Sequence, residues 1–307
     1  MALSLVFGTP VHAQQLTLPD LAGSIRQAHR DGNATYRLEI DNDSLLLQDD
    51  DGFYSSGARL NVLYAARSGD RLLANGWHIG QEIYTPSNIK LSRPKKAGPP
   101  ERPYAGWMYA GFVHHVHLAD GSSRSLGLDI GCLGPCAGGE WTQKQLHRLI
   151  DQPQPRGWNR QVGNEAGLVL HAQVDTSQWR PSRWFDTSAT LQARFGNIFT
   201  DAGATATARF GRLNRLPDEP TLHGLFRLGG RLVGYDATLQ GGFFSGGDSH
   251  TVSPKRGVLE GEVGVAWQAA PFAASFSVVR RGSEIQNLPT SVGAQNFVRL
   301  QMSYTPG

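Results

Sequence analysis

Apolar and polar residues alternate along most of this chain. Over residues 34–40, Tyr36, Leu38 and Ile40 fall on one side and Thr35, Arg37 and Glu39 on the other. Residues 57–65 set Ala58, Leu60, Val62 and Tyr64 against Arg59 and Asn61, and residues 124–131 set Leu126, Leu128 and Ile130 against Ser125, Gly127 and Asp129. Residues 165–175 do the same with Leu168, Leu170, Ala172 and Val174 opposite Glu165, His171 and Gln173. The alternation recurs at 187–195, 204–210, 258–267, 272–279 and 295–304, and more weakly at 77–84, 104–118, 226–235 and 237–244. A period of two marks a strand with one apolar and one polar face. The pattern predicts about a dozen strands of roughly 8–11 residues.

A soluble sandwich and a transmembrane barrel both fit such a count, with opposite faces wetted. Three features favour an all-β, closed antiparallel transmembrane β-barrel of about 12 strands. The polar faces carry charged groups such as Arg37, Glu39, Glu260 and Glu262, spaced by small residues. Tyr64, Trp77, Tyr84, Tyr235, Trp267 and Tyr304 sit near strand ends, where interfacial girdles would lie. Closure also removes the edges of so large a sheet. Leu38, Val62, Leu128 and Leu170 are then expected to face outward.

One segment departs from the period of two. Residues 139–151, GEWTQKQLHRLID, have helical spacing: Glu140, Gln143 and His147 share one arc, and Leu146, Leu149 and Ile150 a neighbouring one. Pro153 stops the helix. This single short helix, set in a loop between strands, is expected to dock in the barrel lumen or at its rim.

Composition narrows the class further. No window approaches 18 consecutive apolar residues, which excludes a helical membrane protein. Glycine accounts for 37 of 307 residues, above the usual ~7%, and charged residues for 18%, below the usual ~25%. The net charge of +3, carried by scattered basic residues, does not suggest a nucleic-acid partner. The start, MALSLVFGTPVHA, reads as a signal peptide over residues 1–13, leaving 14–307 as one barrel domain. In an oxidising envelope Cys132 and Cys136 are placed to close a small loop.

Candidate chemistry lies in two places. Asp41-Asn42-Asp43-Ser44 and Asp49-Asp50-Asp51-Gly52 concentrate oxygens suited to a hard cation, although the same residues also build turns. On the helix, His147 is a candidate general base, and Gln143 one turn earlier could hold an oxyanion; a surface histidine fits the same spacing. His114, His115 and His117 are treated as ordinary strand residues, because the sequence places no third ligand beside His115 and His117.

Several motifs, in order, resemble the outer-membrane lipid A 3′-O-deacylase family. They are Glu39-Ile40-Asp41-Asn42-Asp43; Gly52-Phe53-Tyr54-Ser55-Ser56-Gly57-Ala58-Arg59-Leu60; Arg102-Pro103-Tyr104-Ala105-Gly106-Trp107; Gly139-Glu140 through Gln143 to His147-Arg148-Leu149; and Pro155-Arg156-Gly157-Trp158-Asn159. Gln161, Asn164, Glu165 and Gly167 continue the match to about residue 170. The resemblance implies a bacterial outer-membrane barrel that hydrolyses the ester of the 3′ acyloxyacyl chain of lipid A with Ca²⁺. It implies His147 as the base that activates water, Asn42 and Asp43 binding the cation or orienting His147, Ser55 holding the oxyanion or metal, and Gln143 supporting the oxyanion or substrate. Lipid A, as lipopolysaccharide, is the implied partner, and no protein partner is implied.

This chain departs from the family in carrying Asp41 before Asn42, where the family has Glu, and Ser55-Ser56 for Thr-Asn. The chain also ends Tyr304-Thr305-Pro306-Gly307 rather than on an aromatic residue, and Lys90, Lys95 and Lys96 do not single out a catalytic lysine. Two alternatives stand beside the deacylase: a phospholipase-like barrel, and a porin-like or structural barrel plugged by its helix.

Overall fold

The computed structural model describes residues 18–43, 53–92, 100–246 and 250–306, with backbone alone at 18–20 and 55. The expected leader at residues 1–13, Ser44, Lys95, Lys96 and the acidic run at 49–52 lie outside the described residues.

Helix α1 (Leu18–Asp31) leads into strands β1 (Asn33–Asn42), β2 (Phe53–Ser68), β3 (Arg71–Thr85), β4 (Ala105–His117) and β5 (Ser123–Leu133). Helix α2 (Gly139–Leu149) precedes β6 (Glu165–Asp175), the short β7 (Trp179–Ser182), β8 (Phe185–Gly196), β9 (Phe199–Arg212) and β10 (Thr221–Asp236). The single turns α3 (Ala237–Gln240) and α4 (Thr290–Gly293) flank β11 (Gly257–Ala269) and β12 (Phe272–Arg281), and β13 (Gln295–Tyr304) closes the chain's strand order.

Strands adjacent in sequence pair antiparallel, β13 returns to β1, and β6 pairs with β8 across β7. Twelve strands thus form a closed barrel, and β7 is a ribbon paired only with β8. The strand ends that lead into long connections (after β3, β5, β10 and β12) lie at one end, and short turns such as Gly69-Asp70 lie at the other. In outer-membrane barrels these ends face outside and the periplasm, respectively.

The alternation resolves as a lipid-facing wall. Leu60, Ile79, Ile130, Leu168, Leu191 and Leu259 point outward and are exposed. Leu170 is exposed too, while Leu38, Val62 and Leu128 share the outward parity of Tyr36, Leu60 and Leu126. These four side chains therefore do not meet in a sealed core, which removes the sandwich alternative.

The core occupies the lumen instead. Tyr54, Tyr84, Trp107, Tyr109, Leu133, Val169, Phe199, Val279 and Phe297 pack together inside its outer end. Below and beside them runs an ion-pair lattice. Arg299 bridges Asp41 (3.1 Å) and Glu262 (3.0 Å), Arg281 meets Glu260 (2.7 Å), and Arg231 meets Glu284 (2.6 Å). Arg102, from the β3–β4 connection, reaches the other Glu284 oxygen at 2.6 Å. Burial opposes ionisation of Glu284, but the guanidiniums of Arg102, Arg281 and Arg231 hold its carboxyl well below the usual range.

The lumen is polar as expected, from the Arg209–Asp186 pair (2.8 Å) near the periplasmic end to the Arg231–Glu284 pair (2.6 Å) near the outer end, where the aromatic cluster packs beside it. Three expectations are corrected. Tyr84 belongs to that core and Tyr235 packs against it, so neither joins a girdle. Residues 237–244 are not a strand: the Asp236 carboxylate caps α3 by accepting from Thr238 N (3.0 Å) and Oγ1 (2.5 Å). Helix α1, of 14 residues, was not anticipated from the pattern, so α2 is not the chain's one helix. Cys132 and Cys136 are joined in a disulfide, as the loop suggested.

Candidate active site

A row of paired residues crosses the outer rim of four strands. Asn42 of β1 lies opposite Ser56 of β2, Ser56 opposite Ile83 of β3, and Ile83 opposite Gly106 of β4. All share the outward parity of the lipid-facing side chains. At about 4.8 Å per strand the row spans roughly 15 Å. Beside it, the β2–β3 register shifts between Tyr54 and Ser56, leaving Ser55 as the extra residue of a bulge. A bulge turns the chain locally, so Tyr54 enters the lumen while Ser56 faces out.

Helix α2 docks on this outer wall, not in the lumen. Leu133 ends β5, Gly134 turns with φ 91°, and the Cys132–Cys136 bridge leads to a single 3₁₀ turn. Gly138, at φ 68°, caps α2 in the left-handed region that glycine tolerates. A side chain on Gly106 would come 3.1 Å from Ala137 Cβ and 3.4 Å from Gly139, so the glycine lets the helix start lie flat on β4. Gln81 of β3 donates from Nε2 to the Ala137 carbonyl at 2.7 Å.

The helix turns its polar arc to the wall. Gln143 and His147 are buried, one turn apart, while Trp141 and Leu149 on the other side are exposed. Trp158 packs with Ile83, Ile89 and Tyr104, and its indole N–H donates to Gln143 Oε1 at 2.8 Å. That bond fixes the amide's orientation. Its Nε2 is buried with no hydrogen-bond partner among the described residues, which is a costly state for a donor.

His147 is held as firmly. Its Nδ1 lies 2.7 Å from the Pro153 carbonyl oxygen. A carbonyl only accepts, so Nδ1 carries the proton and, in the neutral ring, Nε2 carries the lone pair. The local chain makes this contact possible: α2 stops at Ile150, Asp151 takes φ 53°, and Gln152 N donates back to His147 O at 2.8 Å. Pro153, expected only to end the helix, also orients its histidine.

Asn42 ends β1, and Asp43 follows it, 5% exposed. Asp41 points the other way, into the lumen, and pairs with Arg299. The fold thus gathers Gln143 and His147 on one helix face, and carries Asn42, Asp43 and the Ser55 bulge along the same rim two to three strands away. A carboxylate and an amide oxygen are the right donor chemistry for Ca²⁺, which takes six to eight oxygens. Asn42 and Asp43 supply part of such a set; among the described residues, no group of three or more His, Cys, Asp or Glu could hold a metal.

Trp158 and Pro153 were not recognised from sequence as site residues. Trp158 stands in the quoted Pro155–Asn159 motif, which was its available signal; the carbonyl of Pro153 leaves none, because any residue offers one.

The geometry defines a class: an outer-membrane barrel whose buried polar site sits between its lipid-facing wall and a docked helix. The chain belongs to the family described as Outer membrane protein LpxR, which matches residues 1–305. Its fold is similar to LpxR from Salmonella typhimurium, with a TM-score of 0.72 and 23% identity, covering 89% of this chain and 100% of that one. An outer membrane channel from Pseudomonas putida F1 is similar at TM-score 0.51 and 10% identity, covering 90% and 96%. No curated protein matches. The protein is accordingly placed in the outer membrane.

Proposed function

We propose that this protein is an outer-membrane esterase that hydrolyses the 3′-linked acyloxyacyl chain of lipid A. One observation carries the reading most directly. His147, its tautomer fixed by Pro153, and Gln143, with an unpartnered amide donor, lie buried together on the membrane side of the wall. A lipid ester meets the barrel on that side, whereas a water-soluble ester would not. The packed lumen supports this over a porin-like barrel.

The chemistry needs no covalent intermediate. His147 Nε2 takes a proton from water, and the resulting hydroxide attacks the ester carbonyl. Gln143 Nε2–H donates to the oxygen as it gains charge, and Ser55, whose backbone forms the β2 bulge, is the proposed second donor. Collapse of the tetrahedral intermediate breaks the bond to the sugar oxygen, which regains the proton from His147. Asn42 and Asp43 would hold Ca²⁺, which when bound supplies Lewis-acid polarisation of the carbonyl.

Mass spectrometry of lipid A from cells with and without the protein tests the function. Loss of the 3′ acyloxyacyl chain only in cells that carry the protein is expected. Unchanged lipid A with altered phospholipid would favour the phospholipase-like barrel.

A further inference from the structure

Two polar side chains break the apolar outer wall near its periplasmic end. Asn75 of β3 and His114 of β4 lie opposite each other in register. Their parity is that of the exposed Trp77, Ile79 and Met108, so both point toward lipid. Yet Asn75 is 0% exposed and His114 4%.

Helix α1 covers them. Asn75 Nδ2 donates to the Ile25 carbonyl at 2.7 Å, and its Oδ1 lies 2.7 Å from His114 Nδ1. His114 Nε2 is 3.0 Å from Ser24 Oγ. Ala28 packs with Leu73 and Val116 of the same wall. The helix turns Ser24, Ile25 and Ala28 to the wall, with Ala28 fully buried, and leaves Ala22, Arg26 and Arg30 exposed on its other side. The His29 ring also rests on Tyr64, centroids 4.5 Å apart, and 6.5 Å from Trp77.

Position along the wall sets the depth. Asn75 under α1 and Gln81 under α2 are six residues apart on β3, about 20 Å along the strand. With strands tilted roughly 40°, that is about 15 Å of height, against an apolar band of about 25 Å. A helix so close below the outer rim, against an outward face, lies within the membrane's lower boundary and not in bulk periplasm. Its long basic side chains reach from there to headgroup level.

We propose that α1 is a membrane-interface helix. The Asn75–His114 pair clasps it to the outside of the barrel, and its Arg26 and Arg30 face binds the anionic phosphates of the periplasmic phospholipid leaflet. The inference is independent of the hydrolytic reading.

Spin labels test it on the full chain in phosphatidylglycerol nanodiscs. The native cysteines are paired, so single cysteines can be introduced at Ala22, at Ala119 in the β4–β5 turn, and at Leu60 on the lipid-facing wall. The Ala22→Cys label is expected to collide with a water-soluble nickel chelate several-fold less than Ala119→Cys and several-fold more than Leu60→Cys. A rate equal to that at Ala119 would place α1 in water, and one equal to that at Leu60 in hydrocarbon; either overturns the proposal.

In the same discs, R26Q with R30Q should abolish the extra immobilisation of the Ala22 label that phosphatidylglycerol gives over phosphatidylcholine. An unchanged lipid preference overturns the phosphate assignment. Asn75→Leu with His114→Leu keeps the wall apolar and foldable. It should raise label mobility several-fold, and an unmoved label overturns the clasp.

Discussion

Trp158 and Gln143 are joined by an indole-to-amide hydrogen bond of 2.8 Å that spans the β5–β6 connection. The bond occupies the amide oxygen and leaves the amide nitrogen as the donor available to a substrate. Trp158→Phe keeps most of the packing against Ile83 and Tyr104 but removes the bond. About a fivefold fall in kcat is expected, with KM little changed, because one bond of roughly 1 kcal/mol orients the donor. In a Gln143→Ala background the same change should cost almost nothing. Steady-state kinetics of the four proteins check this; an equal loss in both backgrounds would show that Trp158 only supports the fold.

Gly106 should be intolerant of bulk. A side chain there meets Ala137 and the start of α2 at contact distance or closer. Gly106→Val is expected to lift α2 from β4 and cut activity by more than tenfold, while the barrel stays folded. Heat-modified gel mobility reports the barrel, and hydrogen exchange over residues 139–149 reports the helix. Parent-like exchange with full activity would contradict the docking.

Much of this architecture was legible in the chain, and the exceptions have physical causes. Strands were readable because lipid and lumen impose opposite demands on alternate residues, as at Leu168 and Leu170 against Glu165 and His171. Residues 237–244 misled because their alternation is overridden by local capping at Asp236, and by Glu165, which accepts from the amides of Phe243, Phe244 and Ser245. Helix α1 was missed because its apolar face is short and includes Ser24, whose partner on another element no periodicity announces. The helical arc of Gln143 and His147 was visible. Its docking side was not, because it depends on Gly106 and Gln81, far away in sequence.

The ion-pair lattice at the outer end makes stability depend on pH in a defined direction. The folded carboxyl of Glu284 is held below its unfolded value by Arg102, Arg281 and Arg231, against the cost of burial. Its contribution is then fully present above the unfolded value near ~4.3 and is lost as pH falls through the lower folded value. Glu284→Ala should destabilise the barrel by about 3–5 kcal/mol at pH 7, since it strands buried guanidiniums. The gap to the parent should narrow only in strong acid. Urea unfolding of both proteins from pH 7 to pH 2 checks the sign, and a gap that widens on acidification would refute it.

The disulfide should matter for the helix and not for the reaction. Cys132→Ser with Cys136→Ser removes the tie that leads from β5 into α2. Activity within about threefold of the parent is expected at 25 °C, with earlier loss on warming; a loss as large as about 10²-fold, comparable to removing a general base, would give the bridge a direct part.

The central claim is that His147, oriented by the Pro153 carbonyl, activates water for attack on a lipid ester. Its most direct test is the release of the 3′ acyloxyacyl chain from lipid A in mixed micelles with Ca²⁺, comparing purified parent and His147→Ala. The parent should release the chain, and the variant should be slower by about 10²–10⁴-fold with its heat-stable barrel intact. Near-parent turnover by His147→Ala, or no release by the parent, would contradict the account.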